Sequence, residues 1–217
     1  MFQSEEELVQ RLVQHYNRNF TIQEIGVGYG ISDLLIIRNQ SELNRFICER
    51  NGIYLKHLDE VKVFDYIRKR KSVEVEELHN TLFISKQRLK YNILKRLEEI
   101  GAVLMVENTY IRNQDFTLFN PNVTAIEAKL EDWTKGLAQA IRYQRFANKS
   151  YLALDEQYVH RADQSECKRF KVGLISVGSR VREIIEAPPI KPLDPLMRYK
   201  VAEEIIAKCT ATYEKHC

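Results

Sequence analysis

Residues 123–130 read Val-Thr-Ala-Ile-Glu-Ala-Lys-Leu, an aliphatic run of strand length that nevertheless carries two charges. Successive strand residues face opposite ways, so Glu127 and Lys129 share one side while Ile126 and Ala128 share the other. A carboxylate on a buried sheet face is costly unless something compensates it, and a divalent cation compensates well. A second run of this kind lies almost a hundred residues earlier: Gly-Tyr-Gly-Ile-Ser-Asp at 28–33, followed by Leu-Leu-Ile-Ile, puts Asp33 on the face of Ile31 and Leu35. An Asp, a Glu and a Lys meeting at one sheet edge is the set that metal-assisted phosphodiester hydrolysis requires. Two plainer readings stand beside this one. Glu127 and Lys129 could form an exposed ion pair of little energetic weight, and Asp33 could be ordinary turn chemistry after the glycines.

The pattern around these runs predicts an α/β domain with a mixed sheet. A first helix is expected over 5–16, with Leu8, Leu12 and Val13 on one face and Ser4 as its N-cap. Strands over 20–27 and 31–38, joined through Gly26, Gly28 and Gly30, read as a hairpin. The chain returns to this domain at Asn120-Pro121-Asn122. There follow a strand over 123–130, an amphipathic helix over 133–148 and strands over 151–154 and 172–177. A proline-containing connector over 181–195 leads to a closing helix from 197 onward.

Between the two halves the pattern turns helical. Helices are expected over 61–70, 75–82 and 85–100, the last closed by Gly101. A two-stranded ribbon over 102–106 and 109–112 follows, turning at Glu107-Asn108. Three helices and a hairpin in this order are those of a winged helix-turn-helix; a helical insertion that only packs is the plainer alternative. The expected division is 1–57 and 116–217 for the main domain and 58–115 for the inserted module.

The order of helix, hairpin with Asp33, strand with Glu127-Ala128-Lys129, helix and strand resembles the PD-(D/E)XK phosphodiesterases, the restriction-endonuclease-like superfamily. The first motif here is Ser32-Asp33, without the proline. The helix after Lys129 carries Gln139-Ala-Ile-Arg-Tyr143, similar to the Q-x-x-x-Y element of the exonuclease-like branch. The resemblance covers residues 1–57 and 116–180. It implies a restriction-endonuclease-like fold and a hydrolase cutting nucleic acid, with double-stranded DNA the expected partner and a homodimer a further expectation. Asp33, Glu127 and the Ala128 carbonyl would hold Mg²⁺, with Mn²⁺ able to substitute, and Lys129 would orient the attacking water. Gln139 and Tyr143, one helical turn apart, would complete the catalytic set, with Gln144 as a stand-in for Gln139. Glu24 and the acids Glu5, Glu6 and Glu7 read as surface charge. The long separation of Asp33 from Glu127 follows if the helical module is inserted between paired strands.

Within the module, basic residues gather at 68–71 and again along the last helix. With Leu89, Ile93, Leu97 and Ile100 turned inward, Lys86, Gln87, Arg88, Lys90, Tyr91 and Lys95 are candidates for nucleic-acid contact, and Arg112 for a backbone contact from the wing. The competing reading is that the module docks a protein, on a nuclease scaffold that no longer cuts.

Composition sets limits. With 44% hydrophobic and 29% charged residues the chain reads as folded rather than disordered, and a net charge of +3 is too small to demonstrate a polyanionic partner. No apolar run reaches membrane-spanning length. The acidic start lacks the pattern of a signal peptide. Cys48, Cys167, Cys209 and Cys217 are scattered without C-x-x-C spacing, which speaks against a zinc site or disulfide framework and leads us to expect a reducing cytoplasm.

Overall fold

The computed structural model describes residues 2–26 and 30–213. In chain order its elements are α1 (Glu5–His15), β1 (Phe20–Gly26), β2 (Ile31–Ile37), α2 (Gln40–Glu49), α3 (Leu58–Arg68), α4 (Val75–Leu82) and α5 (Lys86–Arg88). A π-helical segment (Leu89–Leu94) joins α5 to α6 (Lys95–Glu99), and β3 (Val103–Val106), β4 (Thr109–Arg112), β5 (Val123–Lys129) and α7 (Trp133–Tyr143) follow. The chain ends with β6 (Lys149–Asp155), α8 (Gln164–Arg169), β7 (Gly173–Val177), β8 (Val181–Ile185) and α9 (Pro195–Tyr213). The chain divides into two compact units, one of residues 1–43 and 121–201, the other of 44–120 and 202–217. The sequence had suggested boundaries at 57/58 and 115/116. Among the described residues no helix is long and apolar enough to cross a membrane.

The first unit is a mixed six-stranded sheet in the order β1-β2-β5-β6-β7-β8. The β1–β2, β2–β5 and β7–β8 pairs are antiparallel, whereas β5–β6 and β6–β7 are parallel. Each parallel pair is bridged by a helix, α7 and then α8, as parallel neighbours require a crossover. One face packs under α1: Leu8, Val9 and Leu12 meet Leu34, Ile36, Ile126, Ala128, Tyr151 and Ala153. The other packs Leu137 and Ala140 of α7 and Cys167 of α8 against Leu152, Leu154 and Leu174. Each buried Leu, Ile or Val among them contributes about 1.5–3 kcal/mol relative to exposure. The central strand β5 is buried at every position, which accounts for its nearly unbroken apolar sequence. Helix α1 starts as its sequence predicts, with the Glu7 N–H donating to Ser4 Oγ at 3.2 Å.

The second unit contains α3, α4, the helix from α5 through α6, and the β3–β4 ribbon, with Val73 bridged to Tyr110. Val61, Phe64, Ile67, Leu78, Leu89, Leu94, Leu97 and Val103 are among its buried apolar residues. Gly101 closes α6 in the left-handed region at φ 71°. Leu89, Ile93 and Leu94 of the π-helical segment are buried in this unit. Arg50, at the end of α2, is buried in this unit. Its guanidinium donates to both Glu203 oxygens at 3.0 Å, to the Ile53 carbonyl at 3.0 Å and to the Thr117 carbonyl at 3.1 Å. The Phe116 ring lies 3.9 Å from the guanidinium carbon. Glu203 in turn accepts from the Leu55 N–H at 2.7 Å.

Four expectations need correction. Residues 40–49, left unassigned by the sequence, form α2, and residues 164–169 form α8. The 181–195 connector contains β8 at the sheet edge, its middle residues exposed and therefore free of an apolar alternation. The helix after β5 ends at Tyr143 rather than 148, where Gln144 and Arg145 turn back on the last carbonyls of α7. The glycine turn expected through 27–29 and the expected continuation of the closing helix over 214–217, with Cys217, lie outside the described residues.

Candidate active site

The site begins where two strands part. The β2–β5 ladder runs from Ile37–Val123 to Leu34–Ile126 and stops there, although both strands continue. Extending that register sets Asp33 opposite Glu127. Beyond the last pair, backbone groups that the ladder would have used must find other partners. Asp33 supplies one: its Oδ2 accepts from the Ala128 N–H at 2.8 Å. Tyr143 supplies another, its hydroxyl donating to the Ile31 carbonyl at 2.8 Å. The end of the ladder thus binds together residues that lie far apart in the chain.

Glu127 is fully buried and Lys129 is 7% exposed. The Lys129 ammonium donates to Glu5 Oε2 at 3.0 Å and to the Ala128 carbonyl at 3.0 Å. It also lies 2.9 Å from Glu127 Oε1, an ion-pair contact, yet that buried oxygen accepts no aligned hydrogen bond. The other Glu127 oxygen meets the Tyr143 hydroxyl. A phenol has one proton, so the Tyr143 hydroxyl donates to one of these two acceptors at a time. Burial pushes the Glu127 carboxyl above its ordinary range, opposed by the Tyr143 donor and Lys129. Burial likewise raises Asp33, against the Ala128 N–H and Lys129. For Lys129 burial alone would lower the ammonium's pKa, but Glu127 and Glu5 outweigh it and hold it above the ordinary value. Tyr143 is pushed far up by burial and by Glu127, so it remains a donor.

Close packing of α7 shapes this corner. Gly136 has no side chain because a Cβ there would stand 2.5 Å from Leu152 Cδ1 and 2.9 Å from Lys129 Cγ. The lysine stem therefore lies under the helix, with its ammonium directed out toward α1. Glu24 is a further departure from regularity. It takes φ 52° inside β1 and faces Asp33 in the hairpin register, where the pair drops out of the ladder. Its charge contributes to the raised Asp33 pKa.

Of the residues singled out from sequence, Asp33, Glu127, Ala128, Lys129 and Tyr143 come together. Gln139 does not bond to any of them, although its Oε1 is buried without a partner one turn before Tyr143. Gln144 does not replace it, because its amide donates to the Phe170 carbonyl at 2.6 Å. Glu5, set aside as surface charge, belongs to the site through Lys129. Its sequence signal was slight, since acids in a first helical turn are ordinary complements of the helix dipole.

Among the described residues no three of His, Cys, Asp and Glu stand close enough to hold a metal by themselves. The oxygen donors that are present are the carboxylates of Asp33 and Glu127 and the Ala128 carbonyl. They suit Mg²⁺, which takes oxygen ligands, needs few from the protein and keeps several waters. An all-protein cage for Ca²⁺ or Zn²⁺ does not fit this set.

The candidate nucleic-acid residues in the second unit are mostly engaged within it. Lys86 pairs with Glu76 at 2.5 Å, Arg88 with Asp59 at 2.7 Å and Lys95 with Glu99 at 4.0 Å. Arg112 donates to Gln114. Gln87, Lys90 and Tyr91 are exposed, Tyr91 at 70%. Such surface pairs are weak enough to be exchanged for phosphates. Compared with family models, with curated proteins and with solved structures, the chain matches none of them.

Proposed function

We propose that the protein is a metal-dependent nuclease of the PD-(D/E)XK type, hydrolysing phosphodiester bonds, with double-stranded DNA as its substrate. One observation carries this reading: Asp33, Glu127 and Lys129 meet at the point where β2 and β5 separate, with both carboxyls pushed up by burial. That arrangement is costly to a fold that has no use for a cation. The mixed sheet flanked by helices supports a restriction-endonuclease-like architecture, and three helices with a β-ribbon support a winged-helix module in the second unit.

When bound, Mg²⁺ would polarise the scissile phosphate and lower the pKa of a water. Asp33, Glu127 and the Ala128 carbonyl would hold it. Lys129 would orient the attacking water and counter the charge that develops on the phosphorus oxygens. Tyr143 fixes the Glu127 carboxyl by its hydroxyl and prevents it from turning away. Gln139, with an unspent acceptor, would accept a hydrogen bond from a water at the site. Lys90 and Tyr91, with the exchangeable cations Lys86, Arg88 and Lys95, would meet the nucleic acid.

A second reading, a protein-interaction subunit on a nuclease scaffold, draws on the exposed apolar residues Phe83, Leu104, Met105 and Val106 of the module. Cleavage assays separate the two. Purified protein with Mg²⁺ or Mn²⁺ should cut DNA, and Asp33→Ala and Lys129→Ala should each abolish cutting while circular dichroism stays unchanged. Absence of cutting across metals and across linear, supercoiled and branched DNA would favour the scaffold.

A further inference from the structure

We propose that the Lys129 ammonium and a divalent cation compete for the same oxygens, and that Glu5 is the positioning residue that keeps the ammonium when the cation takes them. The inference rests on the cation site described above and adds to it a residue, Glu5, and an exchange.

The ammonium contacts Glu127 Oε1 at 2.9 Å and the Ala128 carbonyl at 3.0 Å, the two oxygens best disposed to bind a metal. Mg²⁺ bonds oxygen at about 2.1 Å, so an ion bound to both would lie against the ammonium nitrogen. Two positive centres that close repel strongly in a buried corner. The ammonium must therefore withdraw, and Glu5 Oε2 already holds it at 3.0 Å. The Glu5 side chain is 48% exposed and that of Lys129 9% exposed, so Glu5 has room to follow the ammonium outward. The lysine stem, pinned beside Gly136, leaves the ammonium as the part free to swing. Charge favours the exchange as well: Asp33, Glu127 and Glu5 against Lys129 leave a net of minus two, which a divalent cation neutralises. Glu6, in the same first turn, shares the helix dipole without contacting Lys129 and provides the control.

The test is calorimetric titration of Mn²⁺ and Mg²⁺ into the intact protein and its Glu5→Gln, Glu6→Gln, Lys129→Met and Glu5→Gln/Lys129→Met variants. Lys129→Met should bind metal about ten-fold more tightly, and Glu5→Gln about ten-fold more weakly. Glu6→Gln should match the wild type. In the Lys129→Met background the Glu5→Gln deficit should vanish, since Glu5 acts through the ammonium. Equal Glu5→Gln effects in both backgrounds would reduce Glu5 to a general field effect and overturn the proposal, as would weaker binding by Lys129→Met. Failure of the wild type to bind either ion overturns it together with the cation site. The expected affinity pattern in a protein that never cuts DNA supports the exchange and removes only the nuclease reading.

Discussion

Replacing Tyr143 with Phe deletes one oxygen atom from the centre of the site. The hydroxyl serves the Ile31 carbonyl at 2.8 Å and the Glu127 carboxyl, in a residue that is 1% exposed. Ile31 itself is 59% exposed, so its carbonyl can turn to water and its share of the loss is small. Glu127 has no such recourse. A hydrogen bond to a buried charged group is worth about 1.5–3 kcal/mol, against about 1 kcal/mol for a neutral one. The cost must therefore depend on pH. Burial already raises the Glu127 carboxyl above its ordinary value, and the Tyr143 donor pulls it partly back, so Tyr143→Phe raises it further. A carboxyl whose folded pKa is raised takes stability away as pH climbs from its unfolded value through its folded one. In the variant that loss continues to higher pH. Urea unfolding should show a deficit of about 1 kcal/mol at the acidic end of the stable range and about 2–3 kcal/mol at about pH 8. Mg²⁺ at saturation should shrink the alkaline deficit by giving Glu127 another partner. A deficit that is equal at both ends, or below about 0.5 kcal/mol throughout, would refute the assignment of Tyr143 as the donor to a buried Glu127.

Three further outcomes follow from the same geometry. Arg50→Met, which leaves the buried Glu203 without its guanidinium counter-charge, should cost about 3–5 kcal/mol by urea unfolding, and Arg50→Met/Glu203→Met should recover part of it; a single-variant loss under about 1 kcal/mol would contradict the burial of that pair. Gly136→Ala gains about 1 kcal/mol of helix propensity but meets about 1–3 kcal/mol of overpacking on Leu152 and the Lys129 stem. Its melting temperature should fall, and any cleavage with it; a more stable variant of full activity would overturn the close approach of α7. Lys90→Ala should weaken DNA binding uniformly across sequences and reduce the salt slope by about 1, measured by fluorescence anisotropy; an unchanged slope would remove Lys90 from the interface.

The parts of this site that lie on one strand were legible in the sequence, and those that depend on pairing were not. Glu127 and Lys129 stand out because charges interrupt an aliphatic run, and strand alternation alone gives their common face. The register that sets Asp33 opposite Glu127 joins residues 94 positions apart in the chain, and no local pattern encodes it. Glu5 was hidden for a different reason: Glu5, Glu6 and Glu7 are equivalent to the helix dipole, and only the fold distinguishes the one that reaches Lys129. Helix α2 was missed because Ser41, Asn44, Ile47 and Cys48 lower its intrinsic propensity, leaving its formation to packing by Leu43, Phe46 and Ile47. Strand β8 escaped because Arg182, Glu183 and Ile184 face solvent on an edge. The extra residue of the π-helical segment was equally invisible, since period-based reading assumes regular turns throughout.

The most direct test is the anomalous difference map of a crystal soaked in Mn²⁺. A single peak should lie at about 2.2 Å from oxygens of both Asp33 and Glu127, with the Ala128 carbonyl as a third ligand and the Lys129 ammonium turned toward Glu5. Manganese bound elsewhere, or to one of these carboxylates without the other, would contradict the claim that β2 and β5 together build a cation site.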